Sequence, residues 1–587
     1  MSRLGRAKGG LAPWLWLLLA VVAFLFFWPL AMLLVGIFRS SPPGLGGEWT
    51  LAPLLRTATA PATWTALANS VVFAVLTTAI ATLLGAVFAF LAARTTMPGR
   101  RFITPVMLLV FAAPNLLYAV SWSLLGDPGS GILNQAVRWL SGTSVSPFNI
   151  FSWTGMVAVQ GLKLSAFCYL LLLAPFRNMN RAFEEASLIA GAGRLRTLFR
   201  IDLPLLLPAI FGVVVVGMLF GLGAFDIPEI LGALAGVPML STRIYRTLSV
   251  SSPPDYAGAS ALGLFMMATL AILLWLQWRI VKADRFVTVT GKAFVQEPWD
   301  LGPWRHAATA AFALFAVATL LLPGIQLVLT SFQPAIGVNR YTLANYTSVF
   351  ADRQTLRAFA VTAQLALLSG FAAMALALVM GQAARRAPRW VQRYLEVGAL
   401  TPLMMPGVVL AVGLLWAYVS VPGLRLLYGS LTITAIGLTV FVMPIASRVV
   451  AGALAQLARD LEESARIAGA SAARSVRDIV LPLTWRSFLV GWLVTGVIAA
   501  GTLDIPLLLL GAQTPNVAVL VYADMTSGVP TRASAQLVLL LLAVFAIGAG
   551  GSAVTALLAW LRLRRKRRIG LRIDSLSRPP RFQGAQA

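Results

Sequence analysis

The segment EASLIAGAGRLRTLFRIDLP, Glu185 to Pro204, returns as ESARIAGASAARSVRDIVLP, Glu463 to Pro482, at a spacing of 278 residues. Glu185 aligns with Glu463, Gly191 with Gly469, Ile201 with Ile479, and Leu203-Pro204 with Leu481-Pro482. Each copy is polar and sits between long apolar runs. Acids come first, Glu184 and Glu185 in one copy and Glu462 and Glu463 in the other, where they complement the positive end of a short helix. Glycine follows, giving a sharp break between two helices the backbone freedom it needs. Arginines come next: Arg194, Arg196 and Arg200, then Arg474 and Arg477. The closing proline falls in the first turn of the next apolar helix, where it is tolerated.

Outward from these segments the chain is 59% hydrophobic and 11% charged, with a mean hydropathy of +0.83. A soluble domain carries about a quarter charged residues. Runs long enough to span a bilayer, ~20 residues, recur near 11–38, 66–93, 103–125, 153–175, 206–231 and 258–281. A second set lies near 307–330, 357–384, 396–420, 430–449, 486–510 and 536–561. The fold class is therefore all-α integral membrane, with twelve transmembrane helices as two six-helix repeats.

The net charge of +26 gathers in alternate loops, including Arg94 to Arg101, Arg177 to Arg200, Arg385 to Arg393 and Arg448 to Arg477. This positive-inside bias predicts a multi-pass inner-membrane protein with both termini and both repeated segments in the cytoplasm. It also argues against nucleic acid as a partner. The first apolar run is too long for a signal-peptide core and reads as a retained helix. Cys168 is alone, so no disulfide framework forms.

The repeat continues beyond the polar segment. Asp226-Ile227-Pro228 recurs as Asp504-Ile505-Pro506, while Arg94 matches Arg386 and Pro114 matches Pro406 at a spacing of 292. The difference falls in the longer external loop Gly126 to Ser152. Two parallel halves are expected: a first transmembrane domain over 1–281, a cytoplasmic linker over 282–305, a second transmembrane domain over 306–562, and a basic tail over 563–587 beside anionic lipid.

The doubled pattern resembles the EAA loop of ABC importer permeases. That resemblance implies a type I importer fold and two ABC ATPase subunits, one docked on each loop. Its docking residues are Glu184, Glu185, Ala186, Gly191, Leu203 and Pro204, with Glu462, Glu463, Ala465, Gly469, Leu481 and Pro482 in the second half. It further implies a periplasmic or lipid-anchored binding protein that delivers substrate. ATP-Mg belongs to the partner subunits, because this chain has no GxxxxGK[ST] phosphate loop; Gly291-Lys292 lacks the flanking residues. No catalytic constellation is visible, so the chain reads as a transport permease and not an enzyme, with no cofactor of its own. The only histidine, His306, lies beside Arg305 at a membrane edge.

The stretch from Gly223 to Leu262 looks like the fused, two-half permeases of ferric iron importers. The matching residues are Pro228, Leu231-Gly232, Thr242, Ile244-Tyr245, Pro254-Asp255-Tyr256 and Ala259. Ferric iron is the substrate this implies, and related fused permeases serve thiamine and aminoalkylphosphonate. Four charged residues in apolar surroundings are candidates for the translocation pathway: Lys163, Asp226, Glu229 and Asp504. Asp226 and Asp504 read equally as a gate that attracts a cation or as helix caps at a break. Lys163, ~15 Å along its helix, either pairs with Glu229, faces water or meets an anionic substrate. No metal ligands are assigned. The rival of another class is an ion-coupled secondary transporter, which needs coupling residues at mid-membrane.

Overall fold

The structure, a computed structural model, describes residues 12–179, 182–280, 298–338, 340–457, 459–511 and 513–547. Most of the expected linker and the whole expected tail lie outside these. Two compact units divide the chain, Met1–Leu537 and Val538–Ala587.

The first half supplies α1 (Pro13–Ile37), α2 (Pro61–Arg94), the bent pair α3 (Arg100–Ala112) and α4 (Asn115–Leu125), α5 (Trp153–Asn178), α6 (Leu198–Leu222) and α7 (Tyr256–Leu276). The second supplies α8 (Trp304–Phe332), α9 (Arg353–Arg386), the bent pair α10 (Arg389–Met404) and α11 (Gly407–Val419), α12 (Leu431–Ala455), α13 (Ala473–Gly501) and α14 (Pro530–Ile547). All are apolar enough to sit in a bilayer, where every backbone group must be bonded within the helix.

Single helices were expected over 103–125 and 396–420. Each is instead broken before a proline, at Pro114 and Pro406, and bent by 94° and 115°. Proline offers no N–H and drives the residue before it out of the helical region. Ala113 and Met405 accordingly take ψ of 137° and 99°.

Side-chain contacts decide whether each bent pair crosses the membrane or turns back. Arg94, at the end of α2, bonds Glu184 just beyond α5, and Arg386, at the end of α9, bonds Glu462 just beyond α12. The end of α2 and the end of α5 thus share one side. Since α5 crosses once, the bent pair between them must also cross. Each is one broken span, and the described residues hold twelve spans.

Both halves are built alike. In each, the second span packs against the fourth and fifth: α2 on α5 and α6, α9 on α12 and α13. The halves then interlock by exchange. α1 packs on α11 and α8 packs on α4. The Trp28 indole N–H donates to the Ala417 carbonyl at 3.1 Å, and the Tyr118 hydroxyl donates to the Thr319 carbonyl at 2.9 Å. At the centre, Gly223 faces Pro406 and Gly501 faces Pro114, a reciprocal contact between equivalent residues. A Cβ on Gly223 would lie 3.1 Å from the Pro406 ring, and one on Gly501 would lie 2.7 Å from that of Pro114. Small residues let membrane helices approach this closely, which is the main source of their packing energy. The loop Gly126 to Ser152, longer in the first half, holds a helix, Ile132–Ser141, tied down by buried Asn134, whose amide donates to the carbonyls of Asp127 and Phe148.

Gly501→Leu should therefore overpack the junction and lower unfolding stability by about 1–3 kcal/mol. Gly452→Ala, in a helix and with nothing within 4 Å of the added Cβ, should not lower it. Thermal melting of both variants in detergent measures the difference.

Candidate functional site: the paired elbows

Each repeated segment folds as an elbow between the fourth and fifth spans. A short helix, Ala182–Ile189 or Arg459–Ile467, leads to a turn at Gly191 or Gly469, where φ is +80° and +83°. That left-handed conformation favours glycine. The turn is closed the same way twice. The Ala192 N–H donates to the Ser187 carbonyl at 3.0 Å, and the Ala470 N–H to the Ala465 carbonyl at 2.9 Å. This is the six-to-one bond of a Schellman ending, which satisfies carbonyls a helix end would leave bare. Both glycines face open space, and an added Cβ would touch nothing.

Beyond the turn, each fifth span opens with one widened π-helical turn, Leu198–Asp202 or Val476–Val480, directly before Leu203-Pro204 or Leu481-Pro482. The proline was expected in the first turn of its helix. The π-turn extends the span on its N-terminal side and accommodates a proline that cannot donate a backbone hydrogen bond.

The acids divide their labour. Glu184 is turned inward onto Arg94, and Glu462 onto Arg386, with Arg385 Nη1 also 3.3 Å from Glu462. These pairs are largely buried and belong to the frame. Glu463, Ala186, Gly191, Gly469, Leu203, Leu481 and Pro482 are exposed; Pro204 and Ala465 are half-buried. Nothing is described of the side chain of Glu185. Two equivalent residues that sequence reasoning passed over stand out at the elbow tips: Ile189 is 87% exposed and Ile467 is 88% exposed. Their signal was the same 278-residue spacing that marks the glycines. Each elbow thus offers a partner an apolar knob beside a bare glycine turn, with Arg196, Arg200, Arg474 and Arg477 exposed on the following arm.

The charged residues within the spans have different partners from those expected. Lys163 does not pair with Glu229. Its ammonium donates to the carbonyls of Val110 and Phe111, at 2.5 and 2.9 Å, and lies 5.3 Å from the Tyr118 ring centre. Those carbonyls end α3, where the break at Pro114 leaves them without helical partners, and a cation at a helix C-terminus also meets a favourable dipole. Glu229 instead accepts from the Tyr522 hydroxyl at 3.1 Å and lies 3.6 Å from Arg246 Nη2, a polar link from the first half to the second. Asp226 stands beside Asn115, the first residue of α4, and Asp504 lies against Gly407, the first residue of α11. Both aspartates therefore sit at the N-terminal end of a broken span's second limb, close enough to each other to interact. Among the described residues, no three acids, histidines or cysteines gather as a metal site.

A family model described as binding-protein-dependent transport system inner membrane component matches residues 81–283 and, again, 373–567. Over 473 residues the chain is 26% identical to a protein of Sinorhizobium fredii described as a probable ABC transporter permease, covering 79% of this chain and 81% of that one. It is 25% identical to a ferric transport system permease protein of Actinobacillus pleuropneumoniae, over 60% of this chain and 51% of that one. It is 29% identical to a candidate 2-aminoethylphosphonate transport system permease of Salmonella paratyphi A, over 44% of this chain and 92% of that one. A solved bacterial ABC transporter for alginate import matches 46% of this chain and 96% of its own, at 19% identity and a TM-score of 0.39.

The anchor pairs make a test independent of any ligand. Arg94→Gln leaves Glu184 without its buried cation and should cost on the order of 3 kcal/mol. Arg386→Gln should cost less, because Arg385 remains beside Glu462. Melting curves, with hydrogen exchange over the two elbow helices, read both effects.

Proposed function

The chain belongs to the binding-protein-dependent transport system inner membrane component family, and from that premise we propose that it carries both transmembrane halves of an ABC importer for ferric iron. The observation that carries this reading is the pair of matching elbows, each closed by the same glycine turn, tipped by an exposed isoleucine and pinned to the second span. Two ATPase subunits dock there, one on each elbow, and hold the ATP-Mg. Ile189, Gly191 and Ala186 make the contact in the first half; Ile467, Gly469 and Glu463 make it in the second. Both termini and both elbows face the cytoplasm, and the binding protein delivers substrate at the opposite face.

Force enters at the elbow tip. The Arg94–Glu184 and Arg386–Glu462 pairs pass it to α2 and α9, each of 34 residues and so ~50 Å long. Those helices carry the fourth and fifth spans with them and rock one half against the other about the Gly–Pro junction. Alternating access in parallel-repeat transporters works by such movement of one bundle against another.

Two observations support iron. The Gly223–Leu262 stretch resembles ferric permeases, and a ferric permease is among the relatives, beside a 2-aminoethylphosphonate permease. Lys163 is engaged by two carbonyls, so it does not present a free cation to a phosphonate.

Uptake of radiolabelled ferric iron, thiamine and 2-aminoethylphosphonate in one deletion strain tests the substrate. Iron uptake alone should return with the gene, and restoration of either other substrate would replace the iron reading. Gly191→Asp or Gly469→Asp should abolish transport while membrane insertion persists. Undiminished uptake in either variant, or uptake by ATP-free vesicles driven by an ion gradient, would overturn the docking role.

A further inference from the structure

The root of the first elbow opens into a cavity of about 630 Å³ walled by four arginines, Arg94, Arg100, Arg101 and Arg177, against two acids, Glu184 and Asp202. One side is closed by Trp299, whose ring meets Phe90 edge-on at 5.3 Å. Backbone bonds fix that tryptophan in place. Its N–H donates to the Arg94 carbonyl at 2.7 Å, and its carbonyl accepts from the Thr96 N–H at 3.0 Å. Arg100 and Arg101 are exposed, and neither forms an ion pair among the described residues. Arg100 reaches only the Thr95 carbonyl, and Arg101 lies over the Phe102 ring.

Arginines at the cytoplasmic edge are what topology alone requires, so the comparison between halves matters. By the repeat spacings, Arg100, Arg101 and Arg177 correspond to Gln392, Arg393 and Ala455, and Thr104 corresponds to Glu396. The second half has a cavity of about 580 Å³ at the related place, lined by Gln392 and Glu396 together with Arg385 and Arg448. Topology asks for basic residues in both halves. It does not ask for four of them around one cavity in the first half alone. The cavity is of small-ligand size, and guanidinium forks match phosphate oxygens in pairs. Basic pockets between membrane helices at the cytoplasmic surface suit acidic headgroups.

We propose that this cavity binds a phosphate-bearing anion, as an acidic phospholipid headgroup of the cytoplasmic leaflet or as a free phosphorylated solute. Its occupant acts on the first elbow through Arg94, which lines the cavity and also holds Glu184. The cytoplasmic placement rests on the orientation proposed above; the binding chemistry does not.

The test uses the full chain with its ATPase subunits in nanodiscs of phosphatidylcholine with or without phosphatidylglycerol, and counts retained lipid by native mass spectrometry. Wild type should retain phosphatidylglycerol preferentially. The double variant R100Q/R101Q, which alters only exposed side chains, should weaken retention at least about tenfold, as loss of two charge-assisted hydrogen bonds implies. R393Q, the equivalent of Arg101 in the second half, should not. Unchanged retention in the double variant, or equal loss in R393Q, would overturn the proposal. Inorganic phosphate distinguishes the sources: displacement of the lipid assigns a soluble phosphate, and persistence assigns the headgroup. An unchanged melting temperature of each variant in detergent checks folding. Because the readout needs neither transport nor ATP hydrolysis, its failure leaves the importer reading standing, and failure of that reading leaves the binding result intact.

Discussion

Two arginine–glutamate pairs fix each elbow of this molecule to the second span of its own half. Each ties the end of a 34-residue helix to the root of the elbow that follows two spans later. A charge pair at the edge of an apolar bundle contributes modestly when made and costs heavily when broken, because the remaining charge has lost its solvent. The elbow cannot leave the second span without exposing an uncompensated ion.

The same joint explains the topology. With the ends of α2 and α5 held together, the bent pair between them must cross, and its break at Pro114 falls inside the molecule. The breaks in turn require partners. Lys163 supplies a cation to the carbonyls that end α3, and Asp226 and Asp504 stand where the second limbs begin. Each half's broken span then receives the other half's first helix, so neither half packs as a closed bundle of its own. Interlocking of this kind joins the two halves at one shared junction.

Much of this was legible in the chain. The doubled Glu185–Pro204 segment carried the elbows, their glycine turns and the parallel halves, because a left-handed turn and a charged segment between apolar runs leave direct marks on sequence. The match of Arg94 with Arg386 was visible too, but its purpose was not. Nothing local tells an arginine which carboxylate it will meet ninety residues later, so Glu184 and Glu462 were read as facing a partner when they face the frame. The pairing of Lys163 failed for a related reason. An ammonium in an apolar helix suggests an acid as its counterpart, whereas a helix broken at proline presents carbonyls that serve as well. The exposed isoleucines escaped notice because hydrophobicity in a hydrophobic protein carries no signal by itself.

The most direct test of the account is a distance between the elbows. Nitroxide labels at Ala190 and Ala468, equivalent exposed positions beside the two tips, would be measured by pulsed electron resonance in the reconstituted complex. The account predicts that ATP-Mg shifts the separation, and that Arg94→Gln blurs the shift into a broad distribution. A separation indifferent to nucleotide, in a complex that hydrolyses ATP and transports, would contradict it.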